Sequence, residues 1–93
     1  MRALLVEYAP YGPWDAEAAA VERAGGTLEI VSIERFGDDP PDADVLLNVW
    51  AASAPPPLLD RMPSLRCAVA YGVGVDWIDL DEANGRGIMV VNM

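Results

Sequence analysis

Leu65-Arg66-Cys67-Ala68-Val69-Ala70-Tyr71-Gly72-Val73-Gly74-Val75-Asp76-Trp77-Ile78-Asp79 carries an apolar run straight into a pair of glycines. The run from Leu65 to Tyr71 has the length and composition of a buried strand, and Gly72 ends it. Gly72 and Gly74 let the backbone turn tightly and bring successive amides close to a ligand with no side chain in the way. On glycine spacing alone, the turn reads as a strand-to-helix connection that needs positive φ. The third glycine of a dinucleotide fingerprint is missing, because Asp76 and Trp77 stand where it would fall and the next glycine is Gly85. This stretch therefore does not read as a nucleotide site.

The segments on either side alternate in the same way. Arg2 to Tyr8 is a short apolar run closed by the turn signal Ala9-Pro10-Tyr11-Gly12-Pro13. Pro13 suits the first turn of a helix in which Trp14, Ala18 and Val21 recur at helical spacing; Asp15 and Glu17 lie near its start and Gly25 closes it. Thr27 to Ile33 reads as a second strand, with Leu28, Ile30 and Ser32 opposite Glu29, Val31 and Ile33, and Gly37 to Asp42 as an acidic, proline-bearing loop. Ala43 to Trp50 is a third strand, whose successive Val45, Leu46 and Leu47 predict burial on both faces. Ala51 to Pro57 turns into a short helix through Leu58, Leu59 and Met62 that Pro63 interrupts. Leu80 to Asn84 is a short helix capped by Asp79 or Asp81, Gly85 and Gly87 follow as breakers, and Ile88 to Val91 is the last strand. This order predicts one α/β domain over residues 1–93, a flavodoxin-like three-layer sandwich with a five-stranded parallel sheet in the order 2-1-3-4-5. Ligands of such sheets sit beyond the carboxyl ends of the strands, here the loops after Tyr8, Trp50 and Tyr71.

The 53% hydrophobic content suffices for a core, and 93 residues make one domain near the lower end of the sustainable range. A formal charge of −9 disfavours nucleic acid or an anionic membrane as partner, while leaving room for a small anion on backbone amides. The lone Cys67 cannot form an internal disulfide, and with no histidine present no metal cluster of the usual kind is expected. No apolar stretch approaches the length of a membrane span, so a cytoplasmic location is the expectation.

Longer context sharpens the glycine turn. Ala43-Asp44-Val45-Leu46-Leu47, Leu58-Leu59-Asp60 and Pro63-Ser64-Leu65-Arg66 precede it; Ile78-Asp79-Leu80-Asp81-Glu82-Ala83, Arg86-Gly87-Ile88 and Val90-Val91-Asn92 follow. The ordered string resembles the N-terminal, substrate-side domain of the D-isomer-specific 2-hydroxyacid dehydrogenases, with the pattern GVGVDxIDLxxAxxRGIxVxN present without a gap. The resemblance spans essentially the whole chain and is specific from Ala43 onward. It implies a flavodoxin-like domain packed against a separate nicotinamide-binding Rossmann domain, with a 2-oxo or 2-hydroxy acid held in the cleft between them. The implied carboxylate grip falls on the backbone amides of Val73 and Gly74, with Gly72 opening the turn. Trp50, beyond the third strand, is a candidate pocket wall, and equally a satellite of the core.

The same resemblance implies NAD or NADP for an intact family member, and an arginine, an acidic residue and a histidine supplied by the later domain. This sequence holds no histidine and ends near the expected crossover, so no catalytic residue and no bound cofactor are expected on it. Ala70 stands where many relatives carry an arginine or a small polar residue. Arg66 shares its strand face, but four strand residues span roughly 13 Å. Asp76 and Asp79 read as loop and cap residues rather than an acid/base pair. Two functions follow: the substrate domain of an NAD(P)-dependent dehydrogenase, inactive alone, or a free-standing, non-catalytic binding or assembly module. Apolar surface left open toward the missing domain predicts a homodimer.

Overall fold

Leu4, Leu5 and Val6 are all but inaccessible to solvent, which marks their strand as one buried on both faces. In the computed structural model, which describes residues 1–7, 12–38, 41–48, 58–71 and 78–92, that strand lies inside the sheet. The elements are β1 (Arg2–Glu7), α1 (Asp15–Arg23), β2 (Thr27–Ser32), α2 (Ile33–Asp38), β3 (Val45–Asn48), α3 (Leu58–Arg61), β4 (Cys67–Ala70), α4 (Leu80–Gly85) and β5 (Met89–Asn92). The five strands pair in the order β2-β1-β3-β4-β5, and every pairing is parallel. The α/β class and the strand order are those the sequence predicts.

Strand parity assigns each side chain to a face. Leu4, Val6, Val31, Leu46 and Ala68 point to one face, where Phe36 of α2, Leu59 of α3 and Ala83 of α4 join them, with Met62, Leu65, Ile78 and Ile88, in the hydrophobic core. The opposite face carries Ala3 and Leu5, then in register Leu28 and Ile30, Val45 and Leu47, Cys67 and Val69, and Met89 and Val91. Only α1, among the described helices, contributes nothing to the main core, and it packs over the β1–β2 side of this second face. Coverage fades across the sheet: Leu5 is fully buried, Leu47 and Val69 are half-buried, and Met89 and Val91 at the β5 edge are exposed.

The structure corrects several element boundaries. Ile33 opens a helix instead of ending β2, and Gly37 and Asp38, expected in a loop, complete it. The Arg35 amide donates to the Ser32 hydroxyl at 3.3 Å, which starts α2 at the strand's own end, and the burial of Phe36 holds it there. β3 and β4 are shorter than their apolar runs, and Ile88 precedes β5. Gly85 lies in the last turn of α4, leaving Gly87, at φ 74°, as the residue whose left-handed backbone ends the helix.

Candidate functional site

In an open parallel sheet the ligand crevice lies beyond the carboxyl ends of the strands. Here those ends are Glu7 on β1, Asn48 on β3 and Ala70 on β4. Asn48 is buried and sits in register with Ala70, also buried, so neither side chain presents charge to the crevice. The sequence-predicted residues Gly72, Val73, Gly74 and Trp50, and Asp76 with them, lie outside the described residues. The structure does describe the residues that flank that segment, from Tyr71 before it and from Ile78 after it.

On the incoming side, the Tyr71 amide donates to the Asn48 carbonyl at 3.0 Å, continuing the β3–β4 ladder one step past the strand. Parity turns the Tyr71 side chain to the α1 face. There its hydroxyl donates to Glu17 Oε2 at 3.2 Å, and its ring meets the Trp14 ring edge-on, with centroids 6.0 Å apart. Trp14 Nε1 in turn donates to Glu7 Oε2 at 2.6 Å. Glu7, Trp14, Glu17 and Tyr71 are all half-buried, and they link the ends of β1 and β4 to the first turn of α1. Burial, and secondarily the Glu17 carboxylate, push the Tyr71 phenol up to about 12, so it stays a protonated donor through neutral pH. On the outgoing side, the Asp79 carboxylate accepts from the Glu82 amide at 3.0 Å and caps α4, as predicted. Arg86 then ties the end of α4 to α3 by donating to Asp60 at 2.6 Å and to the Leu59 carbonyl at 3.2 Å, and it pairs with Glu82 of its own helix at 2.6 Å.

Arg66 is exposed and its amide donates to the Asp44 carbonyl, at the amino end of the sheet. It is therefore remote from Ala70 and cannot stand in for a charged residue there. The thiol of Cys67 is pushed up by burial and lies at the same far end. Sequence reasoning passed over Glu7, Glu17 and Tyr71 as a group. The available signal was parity, which puts residues 3, 5 and 7 of β1 on the face of α1, and the spacing of Trp14 and Glu17, three apart on one helical face.

A dinucleotide pyrophosphate would need bare amides and a positive field at the start of the first helix. The first turn of α1 instead carries Asp15 and Glu17, with Glu7 beside it through Trp14. Three carboxylates there complement the helix dipole and repel a pyrophosphate, so these residues do not fit a nicotinamide cofactor. Among the described residues no group of histidine, cysteine and carboxylate side chains could hold a metal ion, and no helix is long and apolar enough to cross a membrane.

Sheet order and parallel pairing define a domain of flavodoxin-like topology. Sequence comparison makes the assignment specific: the chain belongs to the D-isomer specific 2-hydroxyacid dehydrogenase family, whose catalytic-domain model matches residues 16–93. It is 31% identical over 91 residues to the glycerate dehydrogenase of Hyphomicrobium methylovorum, a match that covers 85% of this chain and 27% of that enzyme. It is 40% identical over 52 residues to the D-3-phosphoglycerate dehydrogenase of Mycobacterium leprae, covering 56% of this chain and 10% of that enzyme. The D-lactate dehydrogenase of Aquifex aeolicus, solved as a complex with NAD and lactic acid, superposes with a TM-score of 0.70 at 22% identity, over 98% of this chain and 27% of that one. At that identity the likeness is one of fold. The chain thus spans about a quarter of the length of these relatives at most.

Proposed function

We propose that this chain is the substrate-side domain of an NAD(P)-dependent D-2-hydroxyacid dehydrogenase, and that the backbone amides of Val73 and Gly74 hold the carboxylate of a 2-oxo or 2-hydroxy acid. Gly72 opens the turn that aims those amides, and Trp50 walls the pocket. The observation that carries this reading is the unbroken string from Gly72 to Asn92, placed directly after β4 in a 2-1-3-4-5 parallel sheet of this family. A net charge of −9 leaves backbone donors as the fitting grip for an anion. The matched relatives act, by name, on glycerate, 3-phosphoglycerate and lactate, which share a carboxylate beside a hydroxyl-bearing carbon. The cofactor is held by another domain, since the acidic first turn of α1 disfavours a pyrophosphate, and the general acid/base comes from that domain too, since this chain has no histidine. The open β5 side of the sheet makes the domain a homodimer when it stands alone.

The test is an amide-resolved NMR titration of the 93-residue chain with pyruvate and with glyoxylate, beside an NADH-consumption assay. A carboxylate held by two or three charge-assisted hydrogen bonds on an open crevice binds in roughly the millimolar range. Shifts centred on Val73 and Gly74, with no NADH consumed, are the expected result. Saturating shifts elsewhere with none at these two amides would refute the carboxylate grip, and steady NADH turnover would refute the division of labour between domains.

A further inference from the structure

We propose that Glu7 and Glu17 limit the acid this domain accepts to one anionic group: glycerate-like monoanions enter, and phosphorylated or dicarboxylic acids are turned away. The inference rests on the reading above that the acid lies at the carboxyl edge of the sheet, and it narrows the substrate class of that edge. It asks for no contact between these side chains and the ligand, because charge acts across several ångströms without touching.

In a 2-1-3-4-5 sheet the crevice opens where the strand order reverses, between the carboxyl ends of β1 and β3. Glu7 is the last residue of β1 and stands at that reversal. Glu17 reaches the same end of the sheet from the first turn of α1, where its Oε2 accepts from the Tyr71 hydroxyl at 3.2 Å, one residue beyond β4. β1 and β4 flank β3, so the two carboxylates stand on either side of the strand that ends at Asn48. Both are half-buried, where water screens charge less than on open surface. The field of Glu17 is felt there: burial first, and that carboxylate second, push the Tyr71 phenol up to about 12.

Each carboxylate is met by a neutral donor, Trp14 Nε1 at 2.6 Å for Glu7 and the phenol for Glu17, and among the described residues neither pairs with a cation. The six cationic side chains of the chain are all arginines. Arg2 and Arg66 stand at the amino ends of β1 and β4. Arg23, Arg61 and Arg86 stand at the closing ends of α1, α3 and α4, which return the chain to that same edge. Arg35 is left on the carboxyl side, beyond the outermost strand β2, and pairs with Glu29 at 3.1 Å. The start of α1 supplies about half a positive charge, against which Glu7, Asp15 and Glu17 set three negative ones. A phosphate or second carboxylate at the reversal meets that field with no guanidinium to answer it.

D-Glycerate and D-3-phosphoglycerate are the probes, since they share the carboxylate and the hydroxyl beside it while the phosphate adds roughly two negative charges. Amide-shift titrations give both Kd values for the wild-type chain, Glu7→Gln, Glu17→Gln, the double variant and Glu22→Gln. Glutamine keeps an acceptor for Trp14 Nε1 and for the Tyr71 hydroxyl, so charge is removed with the contacts in place. Glu22, exposed near the far end of α1, controls for net charge alone. The wild-type chain is expected to favour glycerate at low salt, and each of the two site variants to narrow that preference by about four-fold. The effects add in the double variant, and Glu22→Gln leaves the preference as it was. The wild-type preference also shrinks between about 10 mM and about 1 M salt, as the reach of charge falls from roughly 30 Å to roughly 3 Å. An unchanged preference in the double variant overturns the inference and leaves the carboxyl-edge reading standing. So does a Glu22→Gln chain that narrows it equally, or a wild-type chain that binds phosphoglycerate as tightly as glycerate at low salt. A wild-type chain that binds neither acid removes the crevice itself, and the charge limit falls with it.

Discussion

Truncating Phe36 to alanine would remove the bulkiest side chain that the structure seals completely from solvent. Phe36 belongs to α2, the helix that periodicity did not reveal, and it packs in the cluster with Leu4, Val6, Val31 and Leu46. Replacing a buried phenylalanine by alanine costs about 3–5 kcal/mol, the sum of lost transfer energy and the cavity left behind. At roughly 0.05–0.15 kcal/mol per residue the whole domain has about 5–14 kcal/mol of stability. Phe36→Ala therefore removes at least about a fifth of it and lowers Tm by on the order of 20 °C. Urea unfolding followed by far-UV circular dichroism gives the number directly, with an unchanged slope as the sign that only stability has moved. Ile30→Ala is the matched control: it truncates a side chain that is 46% exposed on the other face of β2, and its loss stays below about 1 kcal/mol. A Phe36→Ala loss of less than about 1 kcal/mol, or one equal to that of Ile30→Ala, would refute the placement of α2 against this face of the sheet.

Asp79→Ala deletes the side-chain acceptor for the Glu82 amide and lowers stability by about 1 kcal/mol, measurable in the same urea series, while Asp79→Asn retains most of it. Arg2 beside Glu29, through a hydrogen bond and charge, holds that carboxyl below its ordinary value of 4.5, with Arg35 adding to the effect. The associated stability is therefore present above pH 4.5 and lost as pH falls through the lowered value; Glu29→Gln should flatten that part of the acid limb in unfolding midpoints measured from pH 6 downward. Met89 and Val91 stand 65% and 40% exposed on one side of β5, and replacing both by lysine is expected to shift the chain toward monomer in analytical ultracentrifugation. A wild-type chain that sediments as a monomer at high concentration would sink that expectation.

Alternation of apolar runs with helical spacing made the parallel order readable, because a parallel pair needs a crossover between its strands and helices are the available crossovers. The cap at Asp79 was readable too, since it depends on residues three apart. What escaped the sequence is nonlocal or ambiguous. Ile33 continues the β2 pattern as well as it begins a helix, and only the burial of Phe36 decides between them. The Tyr71–Glu17 bond joins residues 54 positions apart, and no local pattern announces such a contact. The uneven cover of the sheet was likewise hidden: Val69 and Val91 are the same amino acid with the same strand parity, yet one is half-buried and the other exposed.

An all-parallel sheet also has consequences for the speed of folding. The first register pairs are Arg2 with Thr27, Ala3 with Val45, Val45 with Cys67 and Cys67 with Met89, so every strand must wait for a partner more than twenty positions away. With no hairpin in the described sheet to act as a quick local seed, loop-closure entropy is met before any ladder forms, which places this domain toward the millisecond-to-second end of two-state kinetics. During that interval β1, which every other strand reaches directly or through β3, is the apolar segment most in need of protection from its neighbours in solution.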